Sequence, residues 1–122
     1  MFGMVDRGQE RSSQLLKGVL EMCLLALITE EPSYGYEMVR KLSDRGLPPV
    51  GEGSIYPSLA RLQRAGRIEG YLVESSGGPA RKYYQMTDAG RRALNEWQAD
   101  WWRLAGGVQN VLNPADKEMM WE

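Results

Sequence analysis

The sequence predicts a mainly α-helical fold with one small β-hairpin and a long final helix. Apolar residues recur at helical spacing through most of the chain, and the period shortens to two only between Ile68 and Met86. A stretch of about 25 residues after Thr87 is helix-forming throughout, and Asn113-Pro114 ends it. At 122 residues with 43% hydrophobic and 25% charged content, the chain is one domain, large enough to bury a core without disulfide staples.

Each element has its own reason. Residues 1–12 lack sustained periodicity and are expected as a loose arm. Ser12 or Ser13 can cap a helix from about Gln14 to Thr29. That helix is apolar almost all round, from Leu15, Leu16, Val19 and Leu20 to Leu27 and Ile28, so it should be buried on more than one side, with a second copy of the chain supplying part of the cover. Cys23 lies in this run and reads as a small buried hydrophobe, in keeping with a reducing, cytoplasmic setting. The run is too short to span a bilayer. Glu30-Glu31-Pro32 breaks the helix. Ser33 and Glu37 approximate a capping box for a second helix over about Tyr34–Arg45, with Met38, Val39 and Leu42 inward. Gly46 to Gly53 is turn-rich and cannot be helical throughout.

The stretch Gly53 to Gly66 is the most informative. Ile55, Leu59 and Leu62 share one side of a helix, and Ser54, Pro57, Ser58, Arg61 and Arg64 are placed on the other. Ser54 is read as the cap, Pro57 as a residue at a position whose amide would be unpaired anyway, and Gly66 as the C-terminal cap. A face that is small, hydroxylated and cationic can approach a duplex closely. Ile68, Tyr71 and Val73 then fall in one strand and Lys82 to Met86 in another, with residues 74–81 as a hairpin tip that delivers Arg81 and Lys82. Thr87 caps the last helix, Asp88 to about Leu112, and a short tail ends in Met119-Met120-Trp121-Glu122.

Net charge is −1, which alone argues against a nucleic-acid partner, but the distribution does not. Residues 33–82 carry eight basic and five acidic side chains, whereas the segments on either side are each acidic by two. The positive excess coincides with the reading helix and hairpin. Three helices followed by a hairpin is the layout of a winged helix-turn-helix, whose second paired helix enters the major groove while the wing reaches the neighbouring backbone or minor groove. Arg61 and Arg64 are then candidates for phosphate or guanine contacts, and Ser54, Ser58 and Tyr56 for shorter hydrogen bonds. Lys17 and Arg40, with Tyr36, add backbone contacts, and Pro57 lies on the same face. The alternative for Arg64 and Arg67 is a solvated helix end.

Four ordered motifs, Leu16-Lys17-Gly18-Val19-Leu20-Glu21, Ser33-Tyr34-Gly35-Tyr36-Glu37, Gly53 to Leu62 and Arg81 to Gly90, resemble the PadR family of bacterial regulators over residues 15–95. The resemblance implies a homodimeric transcriptional regulator, usually a repressor, that binds a roughly palindromic operator on double-stranded DNA and often releases it when a small molecule binds. It divides the chain into an arm (1–12), a winged helix-turn-helix (13–87), a single C-terminal dimerisation helix (88–112) and a tail (113–122). The family commonly begins its second helix with His-Gly-Tyr. Here that triplet is Tyr34-Gly35-Tyr36 in a chain with no histidine, so the sensing of phenolic acids is not carried over.

Trp97, Trp101 and Trp102 on the last helix fit a dimer core, together with Leu16, Leu20, Leu94, Leu104 and Val108. In multidrug-sensing members, a tryptophan eleven residues after the glycine of the Thr-x-x-Gly turn lines a cavity for flat ligands. Here Gly90 places Trp101 at that position, with Val19, Met22, Leu94, Gln98 and Ala105 around it. A planar aromatic effector is the expectation. Two other classes compete with a DNA-binding regulator: a winged-helix protein–protein interaction module, which the net charge of −1 keeps open, and an enzyme. Catalysis is excluded by the lack of histidine, of a paired-carboxylate pocket, of metal-spaced Cys/His residues and of a phosphate-binding glycine loop; no cofactor or metal is expected.

Overall fold

The computed structural model describes residues 7–113. Their order is α1 (Arg7–Lys17), α2 (Leu20–Glu30), β1 (Ser33–Tyr34), α3 (Gly35–Asp44), α4 (Glu52–Arg64), β2 (Ile68–Ser75), β3 (Gly78–Met86) and α5 (Asp88–Leu112). The architecture is the expected winged helix, with the antiparallel sheet ordered β1-β3-β2. Among the described residues no single helix is long and apolar enough to cross a membrane.

Two expectations at the N-terminal end are corrected. Residues 7–12 belong to α1 instead of a loose arm, and the first long helix is two helices bent by 69°. The break falls at Gly18-Val19, where Val19 N–H donates to the Leu16 carbonyl (2.9 Å) in a tightened last turn. Glycine is a poor helix former, and sharp bends collect at such residues. Residues 1–6, and the 114–122 portion of the expected tail, lie outside the described residues.

The core is built around α2. Leu24, Leu25, Leu27 and Ile28 are buried, and α3, α4, β3 and α5 pack around them. These four side chains are covered within one chain, whereas Val19, Met22, Cys23 and Ala26 are only partly buried. Met38 and Leu42 from α3, Ile55, Leu59 and Leu62 from α4, Ile68 from β2 and Tyr84 from β3 complete this core. Burial pushes the Tyr84 phenol and the half-buried Cys23 thiol above their ordinary pKa ranges, which disfavours the thiolate at Cys23.

Ser33 does not cap α3. It is fully buried in β1, where its hydroxyl donates to the Glu31 carbonyl (3.2 Å) and accepts from Lys41 Nζ (3.1 Å). The hairpin tip is also tighter than expected. Ser75 pairs with Gly78 across a two-residue turn, and Gly77 has φ +76°, a conformation that favours glycine. Arg81 thus lies within β3 beside Lys82, and not on a loop.

Candidate nucleic-acid interface

The α3–α4 pair is set by its turns. Gly46 (φ +91°) ends α3, with its amide donating to the Ser43 carbonyl and that of Leu47 to the Leu42 carbonyl. Gly66 (φ +75°) ends α4 in the same way, its amide donating to Gln63 and that of Arg67 to Leu62, both at 2.9 Å. This is a Schellman motif, and it bears out the reading of Gly66.

Three readings within α4 are corrected. The helix starts at Glu52 with Gly51 as its cap residue, so Ser54 sits inside the first turn and caps nothing with its side chain. Pro57 consequently falls in the second turn, where it removes a real hydrogen bond to the Gly53 carbonyl. Both residues are exposed, which leaves that carbonyl to water. Ser58 is buried. Its position three residues after Ile55 and four before Leu62 puts it on the core stripe, and its hydroxyl donates to the Ser54 carbonyl (2.9 Å). Buried and bonded within the helix, it has no surface to offer DNA.

The outward face of α4 consists of Gly53, Pro57, Ala60 and Arg64, with Tyr56 and Gln63 on one flank and Ser54 and Arg61 on the other. Arg64 has no carboxylate partner among the described residues. Arg61 is half engaged: its Nε donates to Glu21 Oε2 (2.8 Å) and an Nη to Ser58 Oγ (3.1 Å). Forty positions separate Glu21 from Arg61, so nothing local in the sequence announced this pair. Ser54, Pro57 and Arg61 border a hollow of about 390 Å³ that Lys17 closes from α1.

On the other flank, Tyr56 lies against the start of α3. A Cβ added to Gly35 would stand 2.6 Å from the Tyr56 ring and 2.9 Å from its hydroxyl oxygen, so the glycine of the Tyr-Gly-Tyr triplet is there for close approach. Tyr34, Gly35, Tyr36 and Tyr56 form one wall of a groove of about 340 Å³, and Ala80, Arg81 and Lys82 of β3 form the other. Lys82 Nζ sits 5.4 Å from the centre of the Tyr84 ring, and the Arg40 guanidinium 5.6 Å from that of Tyr36. The structure thus brings Tyr36, Tyr56, Arg81 and Lys82 together, with Arg40 beside them, and carries Lys17 on the far side of α4.

The aromatic end of α5 is arranged differently from expectation. Leu16, Leu20 and Leu94 are buried in the chain's own core and have almost no surface to offer a partner. Trp97 is half-buried beneath the Arg67 guanidinium (4.8 Å to its ring centre), whereas Trp101, Trp102 (69% exposed), Leu104 and Val108 are exposed, as are Val111 and Leu112. Lys17, Val19, Glu21, Met22, Trp97, Asp100, Trp101 and Leu104 border a groove of about 400 Å³. Val19, Met22 and Trp101 of the expected effector set line it; Leu94, Gln98 and Ala105 do not. Among the described residues no group of three or more His, Cys, Asp or Glu is placed to hold a metal.

This combination of a cationic reading helix, a wing and a projecting terminal helix has close counterparts. A regulator from Bacillus cereus, described as a PadR-like transcriptional regulator, is 49% identical, with a TM-score of 0.73 over 81% of this chain and 96% of its own. One from Eggerthella lenta, of the PadR family, is 36% identical, with a TM-score of 0.75 over 84% of this chain and 89% of its own. A Lysinibacillus sphaericus protein of unassigned role is 34% identical over 73% of this chain and 84% of its own length. Residues 24–96 match the model of the PadR-like transcriptional regulators. The chain belongs to the PadR-like family of transcriptional regulators, and it is a regulator and not an enzyme.

Proposed function

We propose that this regulator is a repressor that binds a pseudo-palindromic operator as a homodimer and is released by a planar aromatic effector. The observation that carries the DNA contact is the groove that Tyr56 of α4 shares with Arg81 and Lys82 of the wing, together with Arg64 exposed on the outward face of the same helix; none of the three cations is paired to a carboxylate among the described residues. In this reading Arg64 and Pro57 face the major groove. Arg81 and Lys82 hold the flanking backbone, and Lys17, Ser54, Tyr36 and Arg40 add phosphate contacts that fix register without carrying sequence information.

Residues 13–87 serve as the DNA-binding unit and residues 88–112 as the dimerising one. Trp97, Trp101, Leu104, Val108 and Val111 recur at helical spacing along α5, and all but half-buried Trp97 are exposed, which supports a paired helix there. The groove between α2 and Trp101 is large enough for a flat ring system. Loss of quenching by planar dyes in Trp101→Ala is the expected mark of that site.

The test is a gel shift on the DNA upstream of the chain's own coding sequence. Binding should weaken steeply with salt, by a slope of about −0.9 in log K per phosphate neutralised. Arg64→Ala and Arg81→Ala should each weaken it. Salt-independent binding, or two variants that bind as the wild type does, would overturn the assignment of this face.

A further inference from the structure

The outer side of the sheet carries a row of tyrosines that the function has not so far used. Tyr34 on β1 pairs with Tyr83 on β3, and Tyr83 with Tyr71 on β2, so all three side chains share one face. Tyr34 meets Tyr83 edge-on (ring centres 5.2 Å apart, 62° between planes), and Tyr71 stacks on Tyr83 (6.0 Å, 25°). Arg81 lies on the same face, two residues before Tyr83. Its guanidinium stands 4.8 Å from the centre of the Tyr34 ring, and an Nη donates to the Tyr34 hydroxyl at 3.4 Å. Arg81 also borders the groove that faces Tyr36 and Tyr56.

We propose that Tyr34 is the positioning residue for Arg81: it holds the wing's guanidinium against the start of α3, where it meets the DNA backbone. This rests on the reading of Arg81 as a DNA contact and deepens it. An arginine side chain is long and loses much rotamer freedom when it binds, so a site that fixes it beforehand strengthens binding without touching the DNA itself. Tyr34 is suited to this because it is anchored twice. Its backbone is both a strand residue and the cap residue of α3, and its ring is braced by Tyr83, which is in turn braced by Tyr71. Arg81 is therefore fixed to the body of the domain and does not move with the hairpin tip. The groups facing Tyr34 are Arg81, Lys82, Tyr36, Tyr56 and Tyr83, and the chain has no histidine, the side chain that ordinarily titrates between pH 6 and 8.

The experiment measures affinity for a labelled duplex from the chain's own upstream region, using the full chain. Arg81→Ala, Tyr34→Ala and the double variant form a cycle. Tyr34→Ala should weaken binding by about two- to fivefold, the range of an exposed cation–ring contact. Added to Arg81→Ala it should cause no further loss. Equal losses that add in the double variant would mean that Tyr34 acts only through folding, and the proposal would fail. A second arm uses Tyr34→Phe, which keeps the ring under the guanidinium and removes only the hydroxyl that Arg81 meets. Tyr34→Phe should recover most of the affinity that Tyr34→Ala loses, with unchanged thermal unfolding. Tyr34→Phe binding as weakly as Tyr34→Ala overturns the proposal. Arg81→Ala indistinguishable from wild type would instead remove the DNA contact at Arg81 on which the proposal rests.

Discussion

Gly90→Ala should be one of the most damaging single-methyl changes in this protein, and the reason lies in how α5 begins. A Cβ at Gly90 would fall far inside contact distance of the Arg67 carbonyl oxygen, 2.5 Å from Met86 Sδ and 3.0 Å from the Arg67 carbonyl carbon. Met86 can turn aside, but the Arg67 carbonyl cannot. It already accepts the Thr87 amide (3.2 Å), while Thr87 Oγ1 donates to the Gly66 carbonyl (2.7 Å) and accepts the Gly90 amide (3.0 Å). Room for the methyl comes only from lifting the first turn of α5 away. Overpacking against a backbone obstacle costs about 3 kcal/mol, and loss of the Thr87 cap adds about 1 kcal/mol. The better helix propensity of alanine offsets about 1 kcal/mol. The net loss is about 3 kcal/mol, or of the order of 10 °C in Tm for a domain of this size. Gly106→Ala is the matched control. It lies on the same helix, opposite the exposed apolar stripe, with open space around its Cβ position, so it should stabilise by up to about 1 kcal/mol. Thermal and urea unfolding followed by circular dichroism, at one fixed protein concentration, measures both. If Gly90→Ala unfolds with the wild type, or the two alanines shift stability alike, the packing argument is wrong.

Two further substitutions test the Arg61 pair and the exposed stripe of α5. Glu21→Gln removes the carboxylate that engages Arg61, so duplex affinity should rise a few-fold with a steeper salt dependence; anisotropy titrations at several salt concentrations would reveal it, and an unchanged slope would mean that Arg61 faces no phosphate. Val108→Asp places a charge in the exposed stripe of α5 and should shift sedimentation toward the single chain, with operator binding lost alongside; a dimer that survives it would put the interface elsewhere.

Local signals carried most of the fold. The extent of α5 and its Thr87 cap were legible because the cap residue, the acidic first turn and the terminating Asn-Pro are all contiguous. Gly66 was legible for the same reason. Part of what escaped was decided by contacts between residues far apart in sequence. Ser33-Tyr34 resembles a helix cap locally, yet it becomes a strand because β3 offers it a free edge at Tyr83 and Tyr84. Ser58 resembles a surface hydroxyl by residue type, although its spacing from Ile55 and Leu62 already placed it inward. Gly18 was a visible break that the strong apolar run around it concealed. For Leu16, Leu20 and Leu94 the sequence makes burial legible, but not that the cover is the chain's own core instead of a partner.

The net charge of −1 is the observation that most opposed a DNA-binding role, and the placement of the unpaired cations explains why it misleads. Arg45 is clamped in a two-pronged bond to Glu30 (2.6 and 2.7 Å), and Lys41 is held by Glu31 (2.9 Å). The hydrogen bonds from Arg45 hold the Glu30 carboxyl below the usual range. The sign follows: a lowered carboxylate pKa keeps that pair intact at neutral pH and loses it only as pH falls through the folded value. Arg103 is likewise close to Asp100 (3.2 Å). Lys17, Arg40, Arg64, Arg81 and Lys82 meet no carboxylate within 4 Å among the described residues, and all lie around α4 and the wing. A phosphate approaching this face meets cations that need not first give up a partner, except at Arg61. The sum of charges counts paired and unpaired groups alike. What decides affinity for a polyanion is which cations are left free and whether they share a face.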